Sequence, residues 1–85
     1  MKYTAEINIM PHPDLPDYEG GAIAVALKQI PLAGIEALRV GKHVQLFVDA
    51  AGEAEARELV DAACKHLLVN PQVETYLYSL TKREE

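Results

Sequence analysis

Leu67-Leu68-Val69-Asn70-Pro71-Gln72-Val73-Glu74-Thr75-Tyr76 takes the chain out of an amphipathic helix and directly into a strand. A residue before proline is biased away from αR, so Asn70 sets the helix boundary. Upstream, Ala56, Leu59, Val60, Ala63, Leu67 and Leu68 form an apolar stripe at helical spacing. Glu53 and Glu55 suit the positive end of that helix's dipole, and Lys65 and His66 its negative end. Downstream, the aromatic and β-branched content of 73–80 predicts a final strand, and 81–85 a frayed tail.

Toward the amino terminus, residues 2–10 alternate strictly. Tyr3, Ala5, Ile7 and Ile9 share one face, with Lys2, Thr4, Glu6 and Asn8 on the other. Three of the five prolines fall in 10–17, which predicts an ordered surface loop. Ile23, Leu27 and Ile30 recur at helical spacing, so a first helix is expected over about 19–30, ended by Pro31.

Between the helices, a two-residue hairpin at Gly41-Lys42 would set Val40 against His43 and Leu38 against Gln45, mixing faces. One continuous strand instead aligns Leu38, Val40, Val44, Leu46 and Val48, with Lys42 the single polar member. Parity favours the long strand, bent at Gly41 and free to pair its other half with a second subunit. The element order is β-α-β-α-β, or β-α-β-β-α-β with a hairpin. It predicts an α+β, ferredoxin-like fold, two helices on one face of a mostly antiparallel sheet. The other face is expected to carry Thr4, Glu6 and Asn8, and to be reached by Phe47, Tyr76, Tyr78 and Leu80. It would suit a partner, although scattered surface aromatics on a monomer are also common.

Eighty-five residues with one cysteine bound the chain to a single small domain, 1–85, with a thin core that self-association would supplement. A net charge of -5 opposes nucleic-acid binding. No secretory or membrane-spanning segment is expected, and the cytoplasm is the default location. His12, His43 and His66 have no metal-ligand spacing, so no metal site is expected. Cys64 lies beside the apolar stripe and reads as a packing residue.

Three segments carry a resemblance. The first is Asp17-Tyr18-Glu19-Gly20-Gly21-Ala22-Ile23-Ala24-Val25-Ala26-Leu27. The second is Arg39-Val40-Gly41-Lys42-His43-Val44-Gln45-Leu46, and the third runs from Cys64-Lys65-His66 through Asn70-Pro71 to Glu74-Thr75-Tyr76. In this order they resemble the PurS family, the small subunits of phosphoribosylformylglycinamidine (FGAM) synthase. Tyr18 replaces the family's usual proline, and Pro31-Leu32-Ala33-Gly34 replaces its Leu-Gly-aromatic segment. The resemblance implies a non-catalytic subunit of a purine-biosynthetic ligase. Such a subunit docks a glutaminase, PurQ, on a synthetase, PurL, and supports ammonia transfer between them. It also implies self-association as a dimer or tetramer, and no cofactor on this chain, with ATP and Mg used by the synthetase.

The partner-interface candidates are Arg39, Gly41, Lys42, Asn70, Pro71, Glu74 and Tyr76, with no catalytic residue. Each has a plainer reading. Arg39 and Glu74 suit a solvated face, Lys42 a bent strand, and Asn70-Pro71 a helix stop. Acylphosphatase-like hydrolysis would call on Arg39 and Asn70, but no phosphate-cradling loop accompanies them. A small-molecule-binding module resembling ACT domains is the alternative from another class.

Overall fold

Alternation in the first strand is what organises the chain, because every second residue finds a dry face. In the computed structural model, which describes residues 1–84, β1 (Lys2–Pro11) occupies the centre of a three-stranded antiparallel sheet of order β2-β1-β3. Tyr3, Ala5, Ile7 and Ile9 are all at most 5% exposed. β2 (Lys42–Asp49) and β3 (Glu74–Lys82) flank it, with Ile7 opposite both Val44 and Tyr78.

Helix α1 (Tyr18–Leu27) joins β1 to β2, and α2 (Glu53–Ala63) leads to β3. The architecture is α+β and ferredoxin-like, two helices with an antiparallel sheet. Val48, Ala56, Val60, Cys64 and Val69 complete the core with the β1 residues. Burial pushes the Cys64 thiol up, away from the reactive thiolate, in keeping with a packing residue.

The second helix does not continue to Leu68 in α geometry. It widens into a π-helical turn over Cys64–Leu68, closed by the Val69 N–H donating to the Cys64 carbonyl at 3.0 Å. The extra residue rotates the stripe. Leu68 and Val69 pack on the core, and Leu67 turns outward at 84% exposure. The chain is already extended at Val69, one residue before Asn70.

Three further boundaries differ from the sequence reading. The first helix is regular only to Leu27, after which Gln29 and Ile30 donate back across single turns. The long middle strand is not formed, and neither is a hairpin. β2 begins at Lys42, and 35–41 lies outside the sheet, although Val44, Leu46 and Val48 keep the expected parity opposite Ile7, Ala5 and Tyr3. The final strand runs to Lys82 instead of fraying after Leu80. Arg83 then donates from its backbone to Lys2 and from Nε to Tyr3. Glu85, the end of the expected tail, lies outside the described residues.

Register also reassigns the aromatic side chains. Tyr76, Tyr78 and Leu80 stand opposite Ile9, Ile7 and Ala5, so they share the core face and do not reach the open one. The open face carries Phe47, opposite Thr4, and Leu77, opposite Asn8. There His43 bridges Asn8 and Glu6, at 2.7 and 2.5 Å. The hydrogen bonds from His43 and Gln45 hold the Glu6 carboxyl below its ordinary value.

Packing of this kind gives opposite outcomes for two leucine-sized side chains. Ile7→Ala is expected to cost about 2–5 kcal/mol, and Leu67→Ala less than about 0.5 kcal/mol, in urea unfolding of the isolated protein. A Leu67 loss as large as that at Ile7 would return it to the core stripe.

Candidate functional site

Six of the seven residues singled out from the sequence come together at one end of the sheet. The antiparallel pairings force this, because the end of β1 is flanked by the start of β2 and the start of β3. Ile9 pairs with Lys42, and Pro11 with Glu74. The result is a crossroads where three connections meet: the exit of β1, the return from α1, and the turn after the π-helical segment.

Their polar groups are tied to one another. Arg39 donates from its guanidinium to the carbonyls of Pro11 and His12, at 2.5 and 3.1 Å. Lys42 pairs with Glu74 at 3.1 Å. The other Glu74 oxygen accepts from the Asn70 N–H at 2.9 Å, and the Asn70 carbonyl accepts from Val73 and Glu74. The Asn70 side chain accepts from the Gln72 N–H, so Asn70 builds the turn three times over. The Pro71 carbonyl lies 3.2 Å from His12 Nε2. A Cβ on Gly41 would collide with Met10 Sδ and the Ile9 carbonyl, so only glycine lets the returning chain pass β1 so closely.

Tyr76 stands on the core face, next to the crossroads. Its hydroxyl donates to Asp61 at 3.0 Å and its ring stacks on Tyr78, 6.3 Å between centroids. Loss of solvent, followed by the Asp61 carboxylate, pushes the Tyr76 phenol up to about 12. It is a neutral donor that joins β3 to α2.

Two members of this site carried no functional weight in the sequence reading. Asp17 accepts from the Gly20 N–H at 2.9 Å and from the Val40 N–H at 2.8 Å, and these two bonds hold its carboxyl below the ordinary range. The first bond is an N-cap, readable from an Asp placed three residues before Gly20. The second spans the whole α1 excursion and has no local signal. His12 likewise meets Pro71 only through the fold.

Nothing in this arrangement resembles a reaction centre. Among the described residues, no three His, Cys, Asp or Glu side chains gather as a metal site, and no buried side-chain polar atom lacks a partner. No helix among them is long and apolar enough to cross a membrane. What the crossroads does is fix the direction in which residues 18–41 leave and rejoin the sheet.

Acid should loosen this end of the molecule in a defined direction. The bond from Asn70, then that from Lys42, holds the Glu74 carboxyl below its ordinary value of 4.5. Glu74 therefore favours the folded state above that value, and its contribution fades as the pH falls through the lowered folded one. Glu74→Gln is expected to cost less than about 1 kcal/mol at neutral pH, with the difference from wild type closing in acid. A gap in urea-unfolding free energy that persists below the folded value would show that charge is not the cause.

Known proteins give this sequence and fold a family. The PurS family, described as phosphoribosylformylglycinamidine (FGAM) synthase, matches residues 4–82. A PurS subunit of that synthase from Synechocystis sp. is 32% identical over 96% of this chain and 82% of its own length. The PurS subunit from Thermotoga maritima is 36% identical over 82% of this chain and 85% of its own. A chain in the structure of PurLQS from Thermotoga maritima superposes with a TM-score of 0.87 at 31% identity, covering 95% of this chain and 99% of that one. The chain belongs to the PurS family of FGAM synthase.

Proposed function

We propose that this chain is the non-catalytic PurS subunit of an FGAM synthase. In that role it docks the glutaminase PurQ on the synthetase PurL and supports passage of ammonia between them. The single observation that carries the reading is the match over residues 4–82, supported by the likeness to a chain of PurLQS. The overall conversion takes formylglycinamide ribonucleotide, glutamine and ATP to formylglycinamidine ribonucleotide in purine biosynthesis. ATP and Mg act in the synthetase, this chain holds no cofactor, and the complex works in the cytoplasm.

Chemistry explains why a subunit without catalytic groups is needed. Ammonia released into water at neutral pH is mostly protonated and ceases to be a nucleophile. A rigid piece that seals two active sites together keeps it neutral. Here, rigidity comes from the crossroads, where Arg39, Lys42, Asn70 and Glu74 hold three connections together. The outward edges of Arg39, Gly41, Lys42, Asn70 and Pro71 are exposed and form the proposed partner contact, with Glu74 and Tyr76 supporting them from within.

The docking unit is a homodimer, on its own or paired into a tetramer. The surface of the chain is 6267 Å² at a mass of 9.3 kDa. A folded monomer of that mass exposes about 5,000 Å², so about 1,300 Å² is in excess. A stable interface takes about 800 Å² per partner. The radius of gyration, 16.7 Å, likewise exceeds the about 12 Å of a compact domain of this length. Residues 18–40 contribute to that surface through Ile23, Val25, Ile30, Leu32 and Ile35, all exposed.

Two measurements test this. Glutamine-dependent FGAM formation by PurL and PurQ is expected to require this protein, whereas turnover with high ammonia is not. Equal glutamine-dependent rates with and without it would defeat the docking role, and specific binding of a free amino acid would then favour an ACT-like module. In sedimentation velocity the isolated protein is expected to run as a dimer or tetramer at micromolar concentration. A monomer throughout would remove the proposed homodimer.

A further inference from the structure

We infer that Asp17 is the positioning residue that presents the α1 arm, residues 18–40, to a second copy of this chain. The inference rests on the homodimer proposed above and assigns the contact that sets its geometry.

The arm is built as an excursion with both ends tied at one carboxylate. It leaves after Asp17, turns through α1, reverses near Pro31 and returns at Val40. Along 35–40 the arm belongs to no helix, strand or turn. Its apolar side chains, Leu27, Ile30, Leu32 and Ile35 among them, line a cleft of about 190 Å³ that Lys28 and Glu36 also border. None of these belongs to the core cluster of the sheet. Packing on the sheet's core therefore does not fix where the arm points, and its two ends must.

Asp17 does so with its two oxygens. Oδ1 caps α1 through Gly20, and Oδ2 accepts from Val40, so the start and the end of the arm cannot move independently. A Cβ on Gly20 would overlap this carboxylate, which leaves glycine to admit it. Arg39, beside Val40, fixes the same return to β1 through the carbonyls of Pro11 and His12. The occupant of the arm's apolar surface is a second copy: the whole chain exposes about 1,300 Å² in excess, more than each partner of a stable dimer buries, and Ile23, Val25, Ile30, Leu32 and Ile35 of the arm are part of that exposed surface. An arm held at one angle meets its copy without first giving up orientational freedom, so the clamp contributes to association by preorganisation.

Asp17→Asn separates the two bonds. The amide oxygen still caps Gly20, but the amide nitrogen cannot accept from Val40. Relative to wild type, this variant is expected to keep its helix content by circular dichroism and to dimerise at least about tenfold more weakly in sedimentation equilibrium, the scale of one charge-assisted hydrogen bond. Equal dimer dissociation constants for a folded Asp17→Asn and wild type would overturn the clamp. A monomeric wild type would instead overturn the homodimer beneath it. Should the variant not fold, the wild-type protein still decides. The Val40 amide resonance is expected to be protected from exchange and to move as the Asp17 carboxyl titrates, and an amide that does neither would refute the assignment.

Discussion

A single strand with both edges occupied governs this molecule. β1 pairs along nearly its whole length with β2 on one side and β3 on the other, and all four of its inward residues are buried. Because both pairings are antiparallel, the strands on either side begin where β1 ends. Three connections then meet at one place, and polar residues of those connections bond to one another and to the end of β1. Arg39 on the β1 exit, Lys42 on Glu74, and Glu74 on Asn70 follow from that convergence.

The same arrangement leaves the sheet short of cover. Helix α2 and the π-helical turn after it supply Ala56, Val60 and Cys64 to the core, whereas α1 contributes only Gly20 as a buried residue. An 85-residue chain has little apolar surface to spare, yet here Ile23, Val25, Ile30 and Leu32 stay exposed. Burial is therefore incomplete in the single chain, and the proposed assembly would remove further apolar area from water.

Several patterns set by short-range rules were right, although Leu59 of the α2 stripe and Ile23 and Ile30 of the first-helix spacing are exposed. Alternation in β1 and the stripe through Ala56 and Val60 identified residues that are fully buried. The Asn70-Pro71 turn ends the helical region and opens β3 within a few residues of its expected place. Failures came where periodicity was extended past its cause. Leu67 fits the stripe by counting, but the π-helical turn adds a residue and turns it outward. Leu38 and Val40 fit the parity of β2, yet the ladder stops at Lys42 because Gly41 crosses against Ile9 and the chain there is committed to Asp17 and Arg39.

By itself, then, the sequence determined which residues seek a dry face, where the chain must turn, and, through the Asp17–Leu27, Arg39–Leu46 and Cys64–Tyr76 segments, the family to which it belongs. These are properties of neighbouring residues and need no knowledge of what lies across the sheet. Only the tertiary structure decided that Tyr76, Tyr78 and Leu80 share the face of β1's core residues, that six candidate residues meet at one end, and that Asp17 holds Val40. Register and long-range hydrogen bonds depend on which strands become neighbours, and in this chain that choice brings together residues 23 to 59 positions apart.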